Sequence, residues 1–358
     1  MIRTAVIGMG NMGTRYSKYI SEGKIEGMEL CAITRIREPY RTTLENEINS
    51  GLPVYDSADD LFSAVDKGEI NPDAVVITTP HYSHSPIAIK AFERGLNVLC
   101  DKPSGVYSRQ AREMEEKAAS SGKVFSMVFH QRTYPVYKKI RELVQSGEYG
   151  ALKRVNWVVT DWYRPDKYYL SGSWRATWDG EGGGVLINQC PHNLDLLQWI
   201  FGVPVSTTGF CIEGHFHNIP VEDDVTAYFK WENGATGVFV TSTGDAPGVN
   251  RLEISMEEGM IVCEEGRLSV RELFPELGCR EEEYRREAED FFKKIKGVEK
   301  EIEIEDPVSP YEEVLRGFSD ECRGKGISPA PGSDGRKSLL ISNAIYLSSW
   351  EGRSVRIP

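Results

Sequence analysis

The chain has 358 residues, enough for two domains with separate hydrophobic cores. Its 54 acidic and 42 basic side chains leave a formal net charge of −12, which argues against non-specific binding to nucleic acids or anionic membranes. Seven scattered cysteines without CxxC spacing, no evident secretory signal and no apolar run long enough to cross a bilayer predict reduced thiols and a cytoplasmic location.

Short apolar strands alternate with helical patterns through the first third of the chain. The predicted strands lie at 5–8, 30–33, 74–78, 98–100 and 124–129. Gly95 and Gly122 follow the periodic segments 85–94 and 108–121, where a left-handed residue commonly ends a helix. This alternation is typical of βαβ units and a parallel sheet, so we predict an α/β fold for this part.

A glycine-rich turn follows the first predicted strand, and a helical stretch opens near Thr14. The turn reads Gly8, Met9, Gly10, Asn11, Met12 and Gly13. Glycine allows the tight turn and brings backbone amides close to a pyrophosphate, while the helix N-terminus attracts its charge. We therefore predict that the turn binds a dinucleotide; the alternative is a merely structural strand-to-helix turn.

The end of the second predicted strand indicates which dinucleotide is preferred. Sites for NAD place an acid on the ribose hydroxyls about twenty residues beyond the glycines. Here Thr34 and Arg35 follow the strand, and no acid appears before Glu38. Threonine and arginine can hold a ribose 2′-phosphate that an acid would repel, which predicts NADP in preference to NAD. In the alternative interpretation, Arg35 is solvated or stacks on adenine without discriminating.

The tripeptide Asp101-Lys102-Pro103 directly follows the predicted strand 98–100. A lysine at the carboxyl end of a strand in a doubly wound sheet lies at the crevice where ligands bind. Pro103 disfavours the helical region for Lys102 and so keeps it extended. Taken alone, the tripeptide is more often a surface turn, but the glycine turn and the segment before His192 point to the same crevice.

From residue 152 the pattern changes to strands separated by tight turns. The predicted strands lie at 153–160, 208–212, 225–231, 235–243, 251–256, 260–264 and 268–270. Asn233-Gly234 between apolar runs is a strong hairpin signal, so we expect a largely antiparallel sheet. Helices are predicted at 135–146, 191–201 and about 334–350, and the charged stretch 280–305 is interpreted as a solvated amphipathic helix.

An aromatic-rich stretch surrounds Trp174 and Arg175. Its other members are Trp162, Tyr163, Tyr168, Tyr169 and Trp178. Aromatic faces stack on sugar rings and tryptophan donates one hydrogen bond, so Tyr163, Trp174 and Arg175 are the predicted neighbours of a carbohydrate substrate. The alternative is that the stretch simply packs against the sheet.

Three glycines at 182–184 precede a helix that begins at Pro191. Glycines let the backbone approach a ligand or another chain, and proline suits the first turn of a helix. His192 therefore stands in that first turn, from which it can face a neighbouring crevice. A lone histidine before apolar Leu194 and Leu196 is more often a hydrogen-bonded packing residue, and only the accompanying motifs favour a site.

The sequence favours no metal site. His215 and His217 have the spacing that places two imidazoles on one face of a strand, and Cys211 lies nearby. No carboxylate-rich or CxxC partner set accompanies them, so a solvated loop is the preferred interpretation. The pair Asp223-Asp224 is interpreted as a strand entry rather than a paired-carboxylate centre.

Together these motifs resemble the Gfo/Idh/MocA family, which includes glucose-fructose oxidoreductase and inositol dehydrogenase, over essentially the whole chain. The matching pieces are the glycine turn, the segment from Thr79 and Pro80 to His84, Asp101-Lys102-Pro103 in place of the family's EKP, Trp174-Arg175, and the triple glycine leading to His192. The resemblance implies an N-terminal Rossmann domain and a C-terminal α/β domain with an open, mostly antiparallel sheet. We expect these domains at 1–130 and 131–358, with the last helix of the chain packing back on the N-terminal domain.

The resemblance also implies roles for single residues. Lys102 resembles the lysine that contacts the reacting hydroxyl and helps lower its pKa, and His192 resembles the general base that takes the hydroxyl proton. Asn188 stands where the family usually has aspartate; because an amide cannot accept a proton, Asn188 can only orient the substrate or His192. The residues expected to line the cofactor are Thr79, Pro80, His84, Asp101 and Lys102.

The sequence thus predicts an oxidoreductase that moves a hydride between a nicotinamide cofactor and a carbinol carbon of a sugar, sugar derivative or polyol. A redox-neutral glycoside hydrolase with catalytic NAD is the enzymatic alternative. A cofactor-binding regulator without turnover is a second alternative, against which the retained Lys102 and His192 argue. We expect a homo-oligomer, a dimer or tetramer, formed through the C-terminal sheet, and neither a nucleic-acid nor a membrane partner.

Overall fold

Two β-sheets organise the part of the chain that the structure describes. The computed structural model describes residues 1–34, 51–273, 297–305 and 309–358. The strands of the first sheet are β1 (Ile2–Ile7), β2 (Met28–Thr34), β3 (Val54–Tyr55), β4 (Ala74–Ile77), β5 (Asn97–Cys100) and β6 (Phe125–Met127). They run parallel in the order β3-β2-β1-β4-β5-β6, which is the Rossmann order that places ligands at the carboxyl edge between β1 and β4.

Helices cover both faces of this sheet, which explains why its central strands are continuous apolar runs. All four residues of β4 are buried, as are the last four of β1. The helices are α1 (Asn11–Ser21), α2 (Ala58–Asp66), α3 (His81–Glu93) and α4 (Ser108–Ser121). Gly95 and Gly122, predicted to end helices, have φ angles of 68° and 65°. Both lie in the left-handed region, which confirms the prediction.

The second sheet has nine strands. They are β7 (Leu152–Val159), β8 (Ser206–Glu213), β9 (Glu222–Lys230), β10 (Thr236–Ser242), β11 (Asn250–Met256), β12 (Gly259–Glu264), β13 (Arg267–Leu273), β14 (Gly297–Ile302) and β15 (Val355–Arg356). Their order is β14-β13-β12-β11-β7-β10-β9-β8-β15, and every pair is antiparallel except β10 with β7. The expected mostly antiparallel sheet is therefore confirmed.

Helices cover one face of this second sheet. They are α5 (Pro135–Gln145), α7 (Val185–Asn188), α8 (Pro191–Phe201) and α10 (Gly332–Glu351), and the short helix α6 (Asp166–Tyr169) buries no residue. By contrast, α9 (Pro310–Cys322) packs on the first sheet, where Val314 and Phe318 share a core with Val76. Trp157, Phe229 and Phe239 point from the sheet into a core shared with Leu194 and Leu197 of α8. No helix in the described segments is both long and apolar enough to span a bilayer.

The predicted amphipathic helix at 280–305 is wrong at its C-terminal end. Residues 297–302 form β14, which pairs with β13 at the edge of the second sheet. The charges that suggested helical pairs instead meet across strands, as Arg271 with Glu299 at 3.2 Å and Lys300 with Glu272 at 2.6 Å. Opposite charges at alternating positions serve a strand pair as well as a helix, so their spacing did not discriminate. The remainder, 280–296, lies outside the described residues.

The two sheets are joined through the C-terminal segment and one buried ion network. The backbone N–H of Met127 donates to the oxygen of Ala330 at 2.9 Å, and the Asn343 side chain of α10 accepts from the N–H of Ser108 at 2.9 Å. Arg132 donates to Asp195 at 2.6 and 2.7 Å and to Asp334 at 2.8 Å. We propose a domain boundary near residue 130, just after β6.

Candidate active site

The glycine turn closes between β1 and α1 because two positions tolerate no side chain. Gly8 has a φ of 100°, and a Cβ there would lie 2.7 Å from the backbone nitrogen of Thr79. A Cβ on Gly13 would collide with the backbone oxygen of Gly8. At Gly10, which precedes the first turn of α1, a Cβ would meet nothing within 4 Å. The turn is therefore tight toward the protein and open at Gly10, as a site for a pyrophosphate requires.

Two threonines fix this turn to the sheet. The hydroxyl oxygen of Thr34 accepts a hydrogen bond from the N–H of Gly8 at 2.9 Å, and the hydroxyl of Thr78 donates to the Gly8 oxygen at 2.5 Å. Thr34, predicted to contact the cofactor, thus lies directly beside the turn. Arg35, predicted with it, lies outside the described residues.

His84 ties the loop after β4 to the loop after β5. Its Nδ1 lies 2.7 Å from the oxygen of Pro103, and its Nε2 lies 2.6 Å from the oxygen of Thr79. Burial lowers the pKa of His84, although these two carbonyls and the Asp101 carboxylate oppose that effect. The structure therefore brings the motif residues Thr79, Pro80 and His84 together with Asp101-Lys102-Pro103 at one edge of the first sheet.

Lys102 reaches from this edge to the second half of the chain. Its Nζ donates to the backbone oxygen of Asn188 in α7 at 2.6 Å. Lys102 is only partly buried as a residue, but its ammonium is enclosed by protein. Burial lowers the pKa of Lys102, and the carboxylates of Asp101 and Glu181 act in the opposite direction.

His192 lies in the first turn of α8, where the sequence placed it, and is buried. Its Nδ1 has no hydrogen-bond partner, and its ring lies edge to face with His130 at a centroid distance of 4.4 Å. Burial holds the pKa of His192 well below its usual 6.5, and the charges of His130 and Lys102 add to the effect. The imidazole is therefore neutral near pH 7 and can accept a proton.

His130 was missed by the sequence analysis. It follows β6, stacks on Tyr311 of α9 at 4.2 Å, and packs against His192. Burial lowers the pKa of His130 to about 4, so the two neighbouring imidazoles are neutral together. No short motif surrounds His130, and only the folded chain brings it to His192.

The predicted substrate neighbours occupy two places. The Arg175 guanidinium lies 4.6 Å from the ring centroids of both Tyr168 and Trp174, and it donates to the Tyr168 hydroxyl at 2.9 Å. The amide of Asn188 also donates to that hydroxyl, at 3.2 Å. Trp174 and Arg175 therefore lie close to Asn188, the residue whose backbone oxygen holds Lys102. Tyr163 is 50% exposed, and its ring lies 6.4 Å from that of His217 instead.

The triple glycine before α7 approaches the chain itself rather than open space. A Cβ on Gly183 would collide with the Tyr346 hydroxyl, and one on Gly184 with the backbone oxygen of Glu222. The Glu222 carboxylate accepts hydrogen bonds from the N–H groups of Gly184 and Leu186 at 2.9 Å and from Tyr346 at 2.6 Å. This contact fixes α7 and, through it, the positions of Asn188 and His192.

The histidines considered for a metal do not lie on a strand. His215 and His217 follow β8 in a turn. His217 is buried rather than solvated; its Nδ1 lies 2.7 Å from Asp223 and its Nε2 lies 2.7 Å from the oxygen of Arg164. Asp223 and Asp224 belong to the start of β9, as predicted. Within the described segments, no group of three or more His, Cys, Asp or Glu side chains is arranged to hold a metal ion.

A cavity of about 300 Å³ lies in the C-terminal half of the chain. It is lined by Trp178, Cys211, Ile212, Glu213, Glu222, Tyr346 and Trp350. Because neither Lys102 nor His192 lines this cavity, we assign the candidate site instead to the edge of the first sheet where Thr79, His84 and Lys102 come together.

Residues 2–129 match the oxidoreductase family with an NAD-binding Rossmann fold, and residues 137–262 match the GFO/IDH/MocA C-terminal domain. The chain belongs to the Gfo/Idh/MocA family. The resemblance drawn from five short motifs is thereby confirmed, and with it a nicotinamide-binding oxidoreductase fold.

Relatives in the Gfo/Idh/MocA family have diverged far in sequence. The rhizopine catabolism protein MocA of Rhizobium meliloti is 28% identical over 200 residues, 56% of this chain and 57% of that protein. Myo-inositol 2-dehydrogenase of Thermotoga maritima is 23% identical over 99% of this chain and 98% of its own length. The WlbA dehydrogenase of Bordetella pertussis, solved with NADH and UDP-GlcNAcA, has a TM-score of 0.80 at 22% identity and covers 100% and 99% of the two chains. At that identity the likeness shows the fold.

Proposed function

We propose that the protein is an NAD(P)-dependent oxidoreductase that transfers a hydride between a nicotinamide cofactor and a hydroxyl or keto carbon of a sugar, sugar derivative or polyol. The observation that carries the proposal is the meeting of Lys102, from the nucleotide-binding sheet, with the α7–α8 segment that carries Asn188 and His192. An enclosed ammonium next to a neutral imidazole is an arrangement suited to moving a hydroxyl proton.

The glycine turn fits a dinucleotide. The open position at Gly10 and the N-terminus of α1 can receive the pyrophosphate, and Thr34 and Thr79 lie against the turn. Pro80 and Asp101, which follow β4 and β5 at the same edge of the sheet, are further proposed cofactor contacts. When bound, the nicotinamide supplies or accepts the hydride.

In the oxidation direction the chain's own residues manage one proton. The Lys102 ammonium donates a hydrogen bond to the reacting oxygen and favours its ionised form. His192 then accepts the hydroxyl proton, which its neutral imidazole can hold. Asn188 orients the substrate by hydrogen bonds, since its amide cannot take up a proton.

A hydroxylated ring is the proposed substrate class. Trp174, 37% exposed, offers an aromatic face beside the Arg175 guanidinium, a combination that stacks on a sugar ring and donates to its hydroxyls. The relative named myo-inositol 2-dehydrogenase supports a polyol or sugar. Tyr163 is a more distant candidate contact.

NADP is the proposed preferred cofactor. The strand end at Thr34 is followed in sequence by Arg35, with no acid before Glu38. We expect kcat/KM for NADP to exceed that for NAD by about 10-fold or more, and Arg35→Ala to lower the NADP value alone. Equal values for both cofactors would contradict the preference.

We propose that the protein forms a homo-oligomer through the outer face of the second sheet. We also propose that it is located in the cytoplasm. Phe210, Tyr228 and Val238 project from β8, β9 and β10 and are 62%, 37% and 36% exposed. Tyr228→Glu should lower the mass measured by light scattering to that of one chain, whereas Ile327→Glu, on an exposed loop, should not. Fractionation of cells of the source should recover the protein with cytoplasmic markers.

A direct experiment tests the activity. Reduction of NADP and NAD is followed by absorbance across sugars, glycosides and inositols. Turnover of at least one such alcohol supports the proposal. Tight cofactor binding without turnover on any of them would favour a regulator, and glycoside cleavage without added oxidant would favour the redox-neutral hydrolase.

A further inference from the structure

Glu181 is a buried carboxylate that stands between the two parts of the candidate site. It precedes the triple glycine, and the residue is 2% exposed. Its backbone oxygen accepts a hydrogen bond from Nδ1 of His81 at 2.9 Å, which attaches this segment to α3 at the cofactor edge. A buried carboxylate costs several kcal/mol unless it is paired, so its partners indicate its use.

Each oxygen of the Glu181 carboxylate has a separate partner. Oε2 accepts from the N–H of Ala176 at 2.6 Å, and Oε1 accepts from the side-chain amide of Asn188 at 2.6 Å. The Arg175 guanidinium lies 3.7 Å from Oε1. Glu181 therefore contacts two residues that we assign to the substrate side, Arg175 and Asn188.

These contacts fix which way the Asn188 amide points. A carboxylate only accepts hydrogen bonds, so the atom that faces Glu181 must be the amide nitrogen. The same nitrogen donates to the Tyr168 hydroxyl at 3.2 Å, which engages both of its hydrogens. The amide oxygen is thereby turned away from Glu181, as an acceptor for a substrate hydroxyl. The backbone oxygen of the same residue holds Lys102.

Glu181 also acts on the Lys102 ammonium. The acids, thiol and cation that face this ammonium are Asp101, Glu181, Cys190 and Arg175. The imidazoles that its charge reaches are His81, His84, His130 and His192, all with lowered pKa values. Burial lowers the pKa of Lys102, and Asp101 and Glu181 are the principal groups that raise it. Without Glu181, Lys102 would lose its proton at lower pH.

We propose that Glu181 is a positioning residue for the reaction: its carboxylate orients the Asn188 amide toward the substrate and keeps Lys102 in its ammonium form. The inference rests on the proposed function. It also accounts for an amide at position 188, because an aspartate there would face Glu181 carboxylate to carboxylate. The two positions together carry one negative charge.

The test compares Glu181→Gln with Asp179→Asn, an exposed acid two residues away that provides the matched control. Glutamine can keep the hydrogen bond from Ala176 only by offering its amide to Asn188, which must then reverse its own amide. For Glu181→Gln we expect kcat to fall about 10- to 100-fold. In a plot of kcat against pH, the alkaline limb, where Lys102 loses its proton, should move to lower pH. Asp179→Asn should match the wild type in both. An unchanged limb in Glu181→Gln would overturn the proposal.

A second measurement does not depend on turnover. Lysines are labelled by reductive ¹³C-methylation, the Lys102 signal is assigned with Lys102→Met, and its titration is followed by NMR in the full chain without cofactor. The midpoint pH of the Lys102 titration should be lower in Glu181→Gln than in the wild type and unchanged in Asp179→Asn. If the wild type turns over no substrate, the proposed function fails, while this titration still decides the role of Glu181.

If Glu181→Gln does not fold, a double variant that moves the carboxylate from position 181 to position 188 provides the test. In Glu181→Gln/Asn188→Asp the glutamine amide donates to the new aspartate, and its oxygen accepts from Ala176. We expect the double variant to recover the Lys102 midpoint and to be at least about 10-fold more active than Asn188→Asp alone. A double variant no better than Asn188→Asp in either respect would overturn the proposal.

Discussion

The Lys102 ammonium donates to the backbone oxygen of Asn188 at 2.6 Å, so a side chain from the first sheet is held against the short helix that leads to His192. Burial and the charge of His130 lower the pKa of His192, and the Lys102 charge acts in the same direction. We therefore propose that the ammonium and the imidazole belong to one site, although they come from different halves of the chain.

Removing either group should abolish most of the turnover with little loss of cofactor affinity. We expect Lys102→Met and His192→Ala each to lower kcat by about 10²- to 10⁴-fold, because each removes a group that handles the hydroxyl proton. Stopped-flow or steady-state kinetics measure kcat, and fluorescence titration with NADPH measures affinity. Lys67→Met, at an exposed lysine, is the control. Near-normal turnover of either site variant would refute the assignment.

The glycine turn allows two substitutions with opposite consequences for folding. Gly13→Ala would force a Cβ against the Gly8 oxygen and should lower the melting temperature, whereas Gly10→Ala meets nothing within 4 Å and should fold normally. Gly10→Ala should nevertheless weaken NADP binding by about 10-fold or more, since the added methyl group occupies the approach of the pyrophosphate. Calorimetric titration checks the affinity. Unchanged binding in Gly10→Ala would place the pyrophosphate elsewhere.

The ion network of Arg132 should be a major contribution to stability. Its side chain and that of Asp195 are each 1% exposed, so Arg132→Met leaves a buried carboxylate without its cationic partner, although the Gln198 amide still donates to it. We expect the free energy of unfolding to fall by about 3–5 kcal/mol in urea titrations. Arg109→Met removes only an exposed helical pair with Glu113 and should cost less than about 1 kcal/mol. Equal effects for the two variants would contradict a structural role for the network.

Glu222 should give the protein a stability that declines with rising pH. Burial raises its pKa from 4.5 to about 7, although hydrogen bonds from Tyr346, from the N–H groups of Leu186 and Gly184 and from its own backbone act in the other direction. Between these values the folded chain binds a proton that the unfolded chain does not, so this contribution is complete below pH 4.5 and is lost as pH rises through 7.

The corresponding measurement is urea unfolding of the wild type and Glu222→Gln at pH 5 and pH 8. The destabilisation caused by the substitution should be smaller at pH 8 than at pH 5 by about 2.5 kcal/mol, since each unit of pKa difference is worth about 1.4 kcal/mol and pH 5 already lies within the interval between the two pKa values. Glu301→Gln, at an exposed acid of β14, should show the same stability at both pH values as the wild type. A constant difference for Glu222→Gln would contradict the raised pKa.

Most strands and long helices were predicted from the sequence because their signals are local. Alternating or continuous apolar runs identified the strands, and Gly95, Gly122 and Pro191 marked helix ends within one turn of the observed positions. Lys102 and His192 were proposed as site residues for the same reason, since each stands in a short motif at the end of an element. β14 was missed because its charge spacing suits a helix and a strand alike.

Contacts between distant segments depended on the tertiary structure. His130 meets His192, Glu181 meets Lys102 through Asn188, and Arg132 meets Asp334 across 202 positions. No periodicity or turn residue records such pairs, because their partners are chosen by how the sheets pack. The sequence by itself determined which residue types lie at the carboxyl edge of the first sheet and at the start of α8. Only folding decided that Lys102 is enclosed and that His192 is neutral, since burial depends on atoms supplied by the whole chain.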